Sequence, residues 1–521
     1  MSLSYATHPG DIDHLIADDH AIAERQLQHL EAGRGNRDLL VRQLVFELSM
    51  HAYAEATTLY PLYREQDMEP ASLAAARGLE QMQPLLATLD GSTAEKPEFE
   101  DALRQLIPIL RERVREEEQL ELPLFRARVG QARMAELGRE FIEAKQHAPT
   151  RPHPHAPEMG AAARVAGAVA KPIDMARDHT SGRLRRLATD ASGLLDPQAQ
   201  AITDAFASLE PLPVETLTPR QARMQPGPDD AVRVVMADRG IDGPEPVGRV
   251  ENVLIEGPDG HNLPVRIYRP AGAGPDPLPI LLWVHGGGWV LFTVDTYDAS
   301  CRGLVNKAQC IVISPEYRRA PENVFPASHD DVLATWRWAR DNASTFGGDP
   351  SRMAIGGESV GGNMAAATCL QLRAAGEPLP RFQALVYPVT TPQQFGASME
   401  DSADARPLNR ALLSWMAMHE FSGKPEAETD PRIDLLSLRR EQLAGLPPAH
   451  VITDERDVLR SQGEQFAQNL QEAGVPTTHS YYDGVMHEFF GASAVLDKAE
   501  RAQQEVADHL RRAFAGSMLS I

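Results

Sequence analysis

Cysteine is almost missing from the 521-residue chain. The three present, Cys301, Cys310 and Cys369, have no paired spacing and no CxxC. A disulfide framework and a thiolate zinc site are thereby excluded, and a cytoplasmic location fits. Basic charge is in deficit, with 51 Lys and Arg against 73 Asp and Glu for a net charge of −22. A phosphate backbone needs a concentrated basic face, so no nucleic-acid partner is expected. Long apolar runs are missing as well. The opening MSLSYATHPGDIDHLIADDH has no basic region leading into an apolar stretch, and no later run is long enough to span a bilayer. Secretion and membrane insertion are therefore not expected.

What remains is ordinary globular composition, 42% hydrophobic and 24% charged, in a chain longer than one hydrophobic core usually supports. Two domains are expected. Residues 1–145 carry helical periodicity, as in Leu40, Leu44 and Leu48, then Leu103, Leu106 and Leu110. Residues 146–194 read as a Pro/Ala-rich linker opening with HAPTRPHPHAPEMG, whose His147, His153 and His155 are expected to be inert. From residue 195 to 521, short β-branched runs alternate with helical stretches. The runs VRIYRP, PILLWVH, CIVISP, RMAIGG, FQALVYP and AHVIT predict a mostly parallel sheet, with helices over Ser328–Thr345 and Val360–Ala375.

The chemistry gathers at strand ends. RMAIGGESVGG runs from a strand through a Gly-Glu-Ser-Val-Gly turn into an alanine-rich helix. GxSxG alone arises by chance in about one chain of this length in six. Between a strand and a helix it gains weight, because small neighbours permit a sharp turn that exposes Ser359 as a nucleophile. An alcohol also needs a base and a group to orient it. AHVITDERDVLR supplies Asp454, Glu455 and Asp457 after one strand, and HSYYDGVMHEFFG places His487 after another. HGGGW, residues 285–289, offers glycine amides that can approach an anion closely. Trp336, Trp338, His329, His419, His450 and His479 read as packing or structural residues. The stretch from Thr390 to Arg439 is where a cap would sit, with Trp415, Met416, Met418 and Phe421 as candidate channel residues.

The part from about residue 195 onward resembles the hormone-sensitive lipase-like family of bacterial esterases, on VRIYRP, HGGGW, EYRRAPE, FPASHDDVLATWRW, FGGDPSRMAIGGESVGG, DVLRSQGEQFAQNLQEAGV and MHEFFG in that order. The resemblance implies an α/β-hydrolase fold with helical cap elements. It also implies a serine carboxylesterase acting through an acyl-enzyme on small-molecule esters of short to medium acyl chain, without a cofactor. Position by position it implies Ser359 as nucleophile, His487 as general base and acid, Asp457 as the orienting carboxylate, and the amides of Gly286, Gly287 and Val360 as oxyanion hole. The chain departs from the family in reading GESVG for GDSAG, and DVLRSQ for DPLRDE, which keeps Glu455 as an alternative acid. It also lacks the glycine usual shortly after HGGG, in WVLFTVD, which is expected to reshape the acyl side of the pocket.

The helical half contains a duplication: HAYAEATTLYPLYR at 51–64 aligns with RVREEEQLELPLFR at 113–126, and HAIAERQLQHLE from His20 with LEQMQPLLATLD from Leu79. Two helix pairs imply a four-helix bundle. His20, His51 and Glu55 fall on the inward stripe, and the half resembles the hemerythrin-like domain family, which implies a di-iron centre. Leu79 and Arg113, however, replace the counterparts of His20 and His51. With only His20, His51, Glu55 and Glu117 left, no metal is expected, and Arg113 is expected to fill the metal position and pair with Glu117 and Glu55. The bundle then serves as a scaffold or a homodimerisation element. The alternative reading is an iron/oxygen or redox sensor with the hydrolase half as its output.

Overall fold

In the computed structural model, which describes residues 8–154 and 160–516, the chain divides into two units. The first comprises Met1–Leu194, Ala207–Gln225 and Glu400–Trp415. Its helices α1 (Ile12–Glu31), α2 (Arg37–Thr58), α3 (Glu69–Asp90) and α4 (Pro97–Glu116) turn their periodic apolar residues inward. Leu27, Leu44, Leu48, Leu86, Leu103 and Leu106 share one core, as a 3.6-residue period requires. Asn36 starts α2 by accepting the Leu39 amide at 3.1 Å. Helix α5 (Gln131–His147) packs against α1 and α2.

The stretch expected as a linker is partly helical: Gly160–Thr180 forms α6 and a short helix follows over Arg183–Leu187. Alanine is the strongest helix former, and α6 is rich in it; the prolines cluster before it. His153 bonds Asp174 at 2.9 Å, and His155 lies outside the described residues.

The second unit comprises Leu195–Phe206, Pro226–Met399 and Met416–Ile521. Among the described residues eight strands form one sheet: β1 (Arg249–Glu256), β2 (Asn262–Arg269), β3 (Leu278–Val284), β4 (Ile311–Pro315), β5 (Gly348–Glu358), β6 (Gln383–Val386), β7 (Ala449–Arg456) and β8 (Thr477–Met486). Their order is β1-β2-β4-β3-β5-β6-β7-β8, antiparallel at β1/β2 and β2/β4 and parallel from there on. The predicted apolar runs become β2 to β7. Strands β3, β4 and β6 are buried almost throughout, because helices cover both faces of a parallel sheet. The crossover helices include α7 (Asp298–Ala308), α8 (Ala327–Asp341), α9 (Val360–Ala374) and α10 (Arg460–Glu472), and α11 (Asp497–Phe514) follows the last strand. No helix among the described residues is long and apolar enough to cross a membrane.

Strand β5 and helix α9 approach β3 so closely that side chains are excluded. A Cβ on Gly361 would strike the Val284 carbonyl oxygen and lie 2.7 Å from that of His285. Gly361→Ala is therefore expected to lower stability by about 1–3 kcal/mol in urea unfolding, the usual cost of overpacking. An unchanged midpoint would contradict this close approach.

Candidate active site

Ser359 stands where β5 turns into α9, with φ 58° and ψ −121°. A side chain other than glycine rarely takes that conformation, and the neighbours make it tolerable. Gly357 lies against Gly361 and Gly362 against Pro388, so neither position has room for a Cβ. The bend is also tied down by hydrogen bonds. The Ser359 amide donates to the Val386 carbonyl at 2.9 Å, and the Ser359 carbonyl accepts from Gly362 at 3.0 Å. Val360 opens α9, so its amide is one of the donors a helix start leaves without an internal partner.

His487 follows β8 and is buried. Its Nδ1 lies 2.8 Å from Asp457 Oδ2, in the loop after β7, while Asp457 Oδ1 accepts the Leu459 amide at 2.9 Å. Glu455, the alternative, is engaged elsewhere: its carboxylate accepts the Gly484 amide at 2.7 Å. Tyr387, one residue past β6, packs against the imidazole with centroids 4.5 Å apart. Burial opposes charge on His487, but attraction to Asp457 and the hydrogen bond that Asp457 accepts, then Glu488 and Glu358, hold its pKa above the usual value.

The HGGGW turn faces this group. A Cβ on Gly286 would sit 3.1 Å from Ser359 Cβ, so the two residues touch. Tyr317 fixes the turn by donating its hydroxyl to the Gly286 carbonyl at 2.8 Å, and His285 stacks on its ring at 4.1 Å. Gly287 and Gly288 have φ of 98° and 59°. Phe292 adopts φ 61°, and its ring stands 3.1 Å from the Cβ position of Gly287. Met416 lies against Gly288 and Phe421 against Trp289. Trp415 is buried and donates to the Leu217 carbonyl at 3.1 Å, which is a packing role.

Sequence reasoning missed the acidic ring around the site. Glu358, beside Ser359, is fully buried and accepts from Trp283 Nε1 at 3.0 Å and the Tyr387 hydroxyl at 2.6 Å. Burial and repulsion from Glu488 push its pKa up to about 7. Asp454 is buried too, and burial with the neighbouring Asp457 pushes it well above the carboxylate range. The signal was in the motifs themselves, since Glu358 sits directly beside Ser359, Glu488 directly beside His487, and Asp454 three residues before Asp457.

In the first unit His20, His51, Glu55 and Glu117 bring donor atoms within 4.8 Å of one another. His20 Nδ1 bonds Glu118 at 2.9 Å; His51 Nδ1 bonds Asp19 at 2.9 Å and its Nε2 meets Glu55 at 3.2 Å. The residues do not fit a pair of ions. Leu79 and the Arg113 guanidinium line the same cavity, and a fixed cation beside the donors repels a second metal. Arg113 turns inward as expected, but its partners need correcting. They are Glu117 at 2.9 Å and Glu121 at 2.6 and 2.8 Å, not Glu55. Glu55 is already held by His51 and the Tyr60 hydroxyl, and a π-helical turn over Glu117–Glu121 brings Glu121 within reach.

Burial opposes charge on His51, yet Glu55 and Asp19 outweigh it and raise the pKa to about 10. Burial would raise Asp19, but Lys145 and His51 bring it down to about 2. The His51 contribution to stability is complete below its unfolded value near 6.5 and fades as pH rises toward 10. The Asp19 contribution is complete above about 4 and fades toward 2. Hydrogen-exchange protection of α2, corrected for intrinsic rates, is thus expected to fall between about pH 6.5 and pH 10, and His51→Gln to flatten that decline. A decline of the same slope in the variant would contradict it.

Residues 281–491 match the family model for the alpha/beta hydrolase fold. Carboxylesterase NlhH of Mycobacterium tuberculosis is 36% identical over 253 residues, 49% of this chain and 79% of that protein. Ethyl acetate hydrolase of Pseudomonas putida is 32% identical over 309 residues, covering 58% and 92%. Among solved structures, a thermostable esterase from Pseudomonas putida aligns at a TM-score of 0.56 with 30% identity, over 62% of this chain and 99% of its own. An ester-hydrolase from the metagenome of Lake Arreo aligns at 0.55 with 36% identity, over 62% and 100%. With a mostly parallel sheet, a serine at a left-handed bend and these relatives, the chain belongs, through its C-terminal part, to the α/β-hydrolase family.

Proposed function

We propose that the chain hydrolyses carboxylic esters, of short to medium acyl length, through an acyl-enzyme formed on Ser359. The observation that carries the reading is Ser359 at its bend, in contact with Gly286, in a unit where His487 is bonded to Asp457. Ser359 Oγ attacks the ester carbonyl carbon while its proton passes to His487 Nε2. The oxygen anion of the tetrahedral intermediate is received by the amides of Gly286, Gly287 and Val360. Collapse breaks the ester bond, and His487 returns the proton to the departing alcohol. Water, deprotonated by the same imidazole, then releases the acid. Asp457 holds the tautomer in which Nε2 accepts the proton. The relatives named as carboxylesterase and ethyl acetate hydrolase support the same bond type.

Residues 1–145 are read as a degenerate hemerythrin-like bundle and 195–521 as the hydrolase domain. Convergence of His20, His51, Glu55 and Glu117 supports the likeness, and Leu79 and Arg113 support loss of the ion pair. Its role is then a scaffold.

Ser359→Ala is expected to cut p-nitrophenyl acetate turnover at least about a thousandfold with unfolding unchanged. Asp457→Asn should cost about a thousandfold or more and Glu455→Gln less than about threefold. Turnover surviving Ser359→Ala, or a larger loss in Glu455→Gln than in Asp457→Asn, would refute the assignment. Metal analysis of the same preparations should find less than one iron per chain.

A further inference from the structure

His487 has a carboxylate near each ring nitrogen. Asp457 takes Nδ1, and on the other side Glu488 Oε1 lies 3.8 Å from Nε2. The proposed mechanism leaves Glu488 unused, yet its position is costly. The side chain is only 9% exposed, and the backbone takes φ 72°, a left-handed conformation in which glycine would be free of strain. The carboxylate is also aimed. The buried Tyr297 hydroxyl donates to Glu488 Oε1 at 2.7 Å, and that same hydroxyl stands 2.5 Å from the Cβ position of Gly286. Tyr297 and Glu488 thus link the HGGGW turn to the imidazole.

We propose that Glu488 is a second positioning carboxylate for His487, stabilising the imidazolium formed when Ser359 gives up its proton, with Tyr297 anchoring it short of Nε2 so that Ser359 keeps access. This rests on the triad reading above. No proton passes to Glu488: it moves from Ser359 Oγ to Nε2 and on to the alcohol, while Glu488 supplies negative charge beside the ring. Asp457 does the same from the Nδ1 side.

The other groups facing this centre are Asp454 on β7, Glu358 at the end of β5, and Tyr387 after β6. Arg460 on α10 acts on Asp454, and Asp229 on Glu488. Burial, with repulsion from Asp457 and Asp229, holds the Glu488 pKa above the usual carboxylate value, and His487 and the Tyr297 hydrogen bond pull against that rise. Because Glu488 favours the charged imidazole, the neutral base becomes available only at higher pH. Neutralising it must move that point down.

The test is the pH dependence of kcat/KM for p-nitrophenyl acetate, which reports groups of the free enzyme. In Glu488→Gln the acid limb should fall by about one pH unit. Its kcat should drop roughly threefold to tenfold with KM held within about twofold, a loss confined to the transition state. Glu488→Asp, which keeps the charge, should restore most of the wild-type limb. If Glu488→Gln does not fold, Glu488→Gly, suited to the left-handed backbone, gives the same reading. An acid limb that stays in place or moves up overturns the proposal. If wild-type turnover itself survives Ser359→Ala, the triad reading has failed and this proposal with it; if it does not, an unmoved limb removes the role of Glu488 alone.

Discussion

The left-handed bend at Ser359 constrains everything around it. A serine at φ 58° is held where the chain on both sides comes close to neighbouring atoms, which leaves no room for a Cβ at the flanking positions. Gly357, Gly361 and Gly362 meet that demand, and the sheet supplies the rigid frame through the Ser359 amide and the Val386 carbonyl. The strain places one hydroxyl at the carboxyl end of a parallel strand. Turns after neighbouring strands in such a sheet deliver the remaining groups to the same edge. From β3 comes the HGGGW turn, from β7 Asp457 and from β8 His487.

Buried charge is the second constraint, and both units meet it in the same way. A charge taken out of water survives only beside a partner. In the catalytic unit the partners of one imidazole are Asp457 and Glu488, with the nearby Glu358 tied to Trp283 and Tyr387. In the helical unit Asp19 sits between Lys145 and His51, and Arg113 between Glu117 and Glu121. A di-iron pair would neutralise such carboxylates with metal charge. Here a guanidinium and an imidazolium do so, beside Glu117, Glu121 and Asp19.

Much of this was legible in the sequence. Unbroken apolar runs became the central strands because a parallel sheet is buried on both faces. Glycines around Ser359 and in HGGGW marked places where backbone must come close. Other features were hidden. Strand β1 is half exposed, with Leu254 facing solvent, so no apolar run betrays it. Helix α6 lay behind prolines that read as a spacer. The Arg113 partner Glu121 was out of reach on ideal helical spacing and came near only through a π turn. Phe292 shows the converse. Its sequence position lacked the expected glycine, yet the backbone kept the conformation glycine would take. Glu488 was visible as a letter beside His487, but its meaning depended on Tyr297, nearly two hundred positions away.

The central claim is that one hydroxyl, activated by one imidazole, attacks a carbonyl. Reaction of the full chain with a fluorophosphonate, followed by intact mass and peptide mapping, tests it most directly. A single adduct on Ser359 is expected, formed at least about a hundredfold more slowly in a His487→Ala variant. Modification of another residue, or labelling of Ser359 at the same rate without His487, would contradict it.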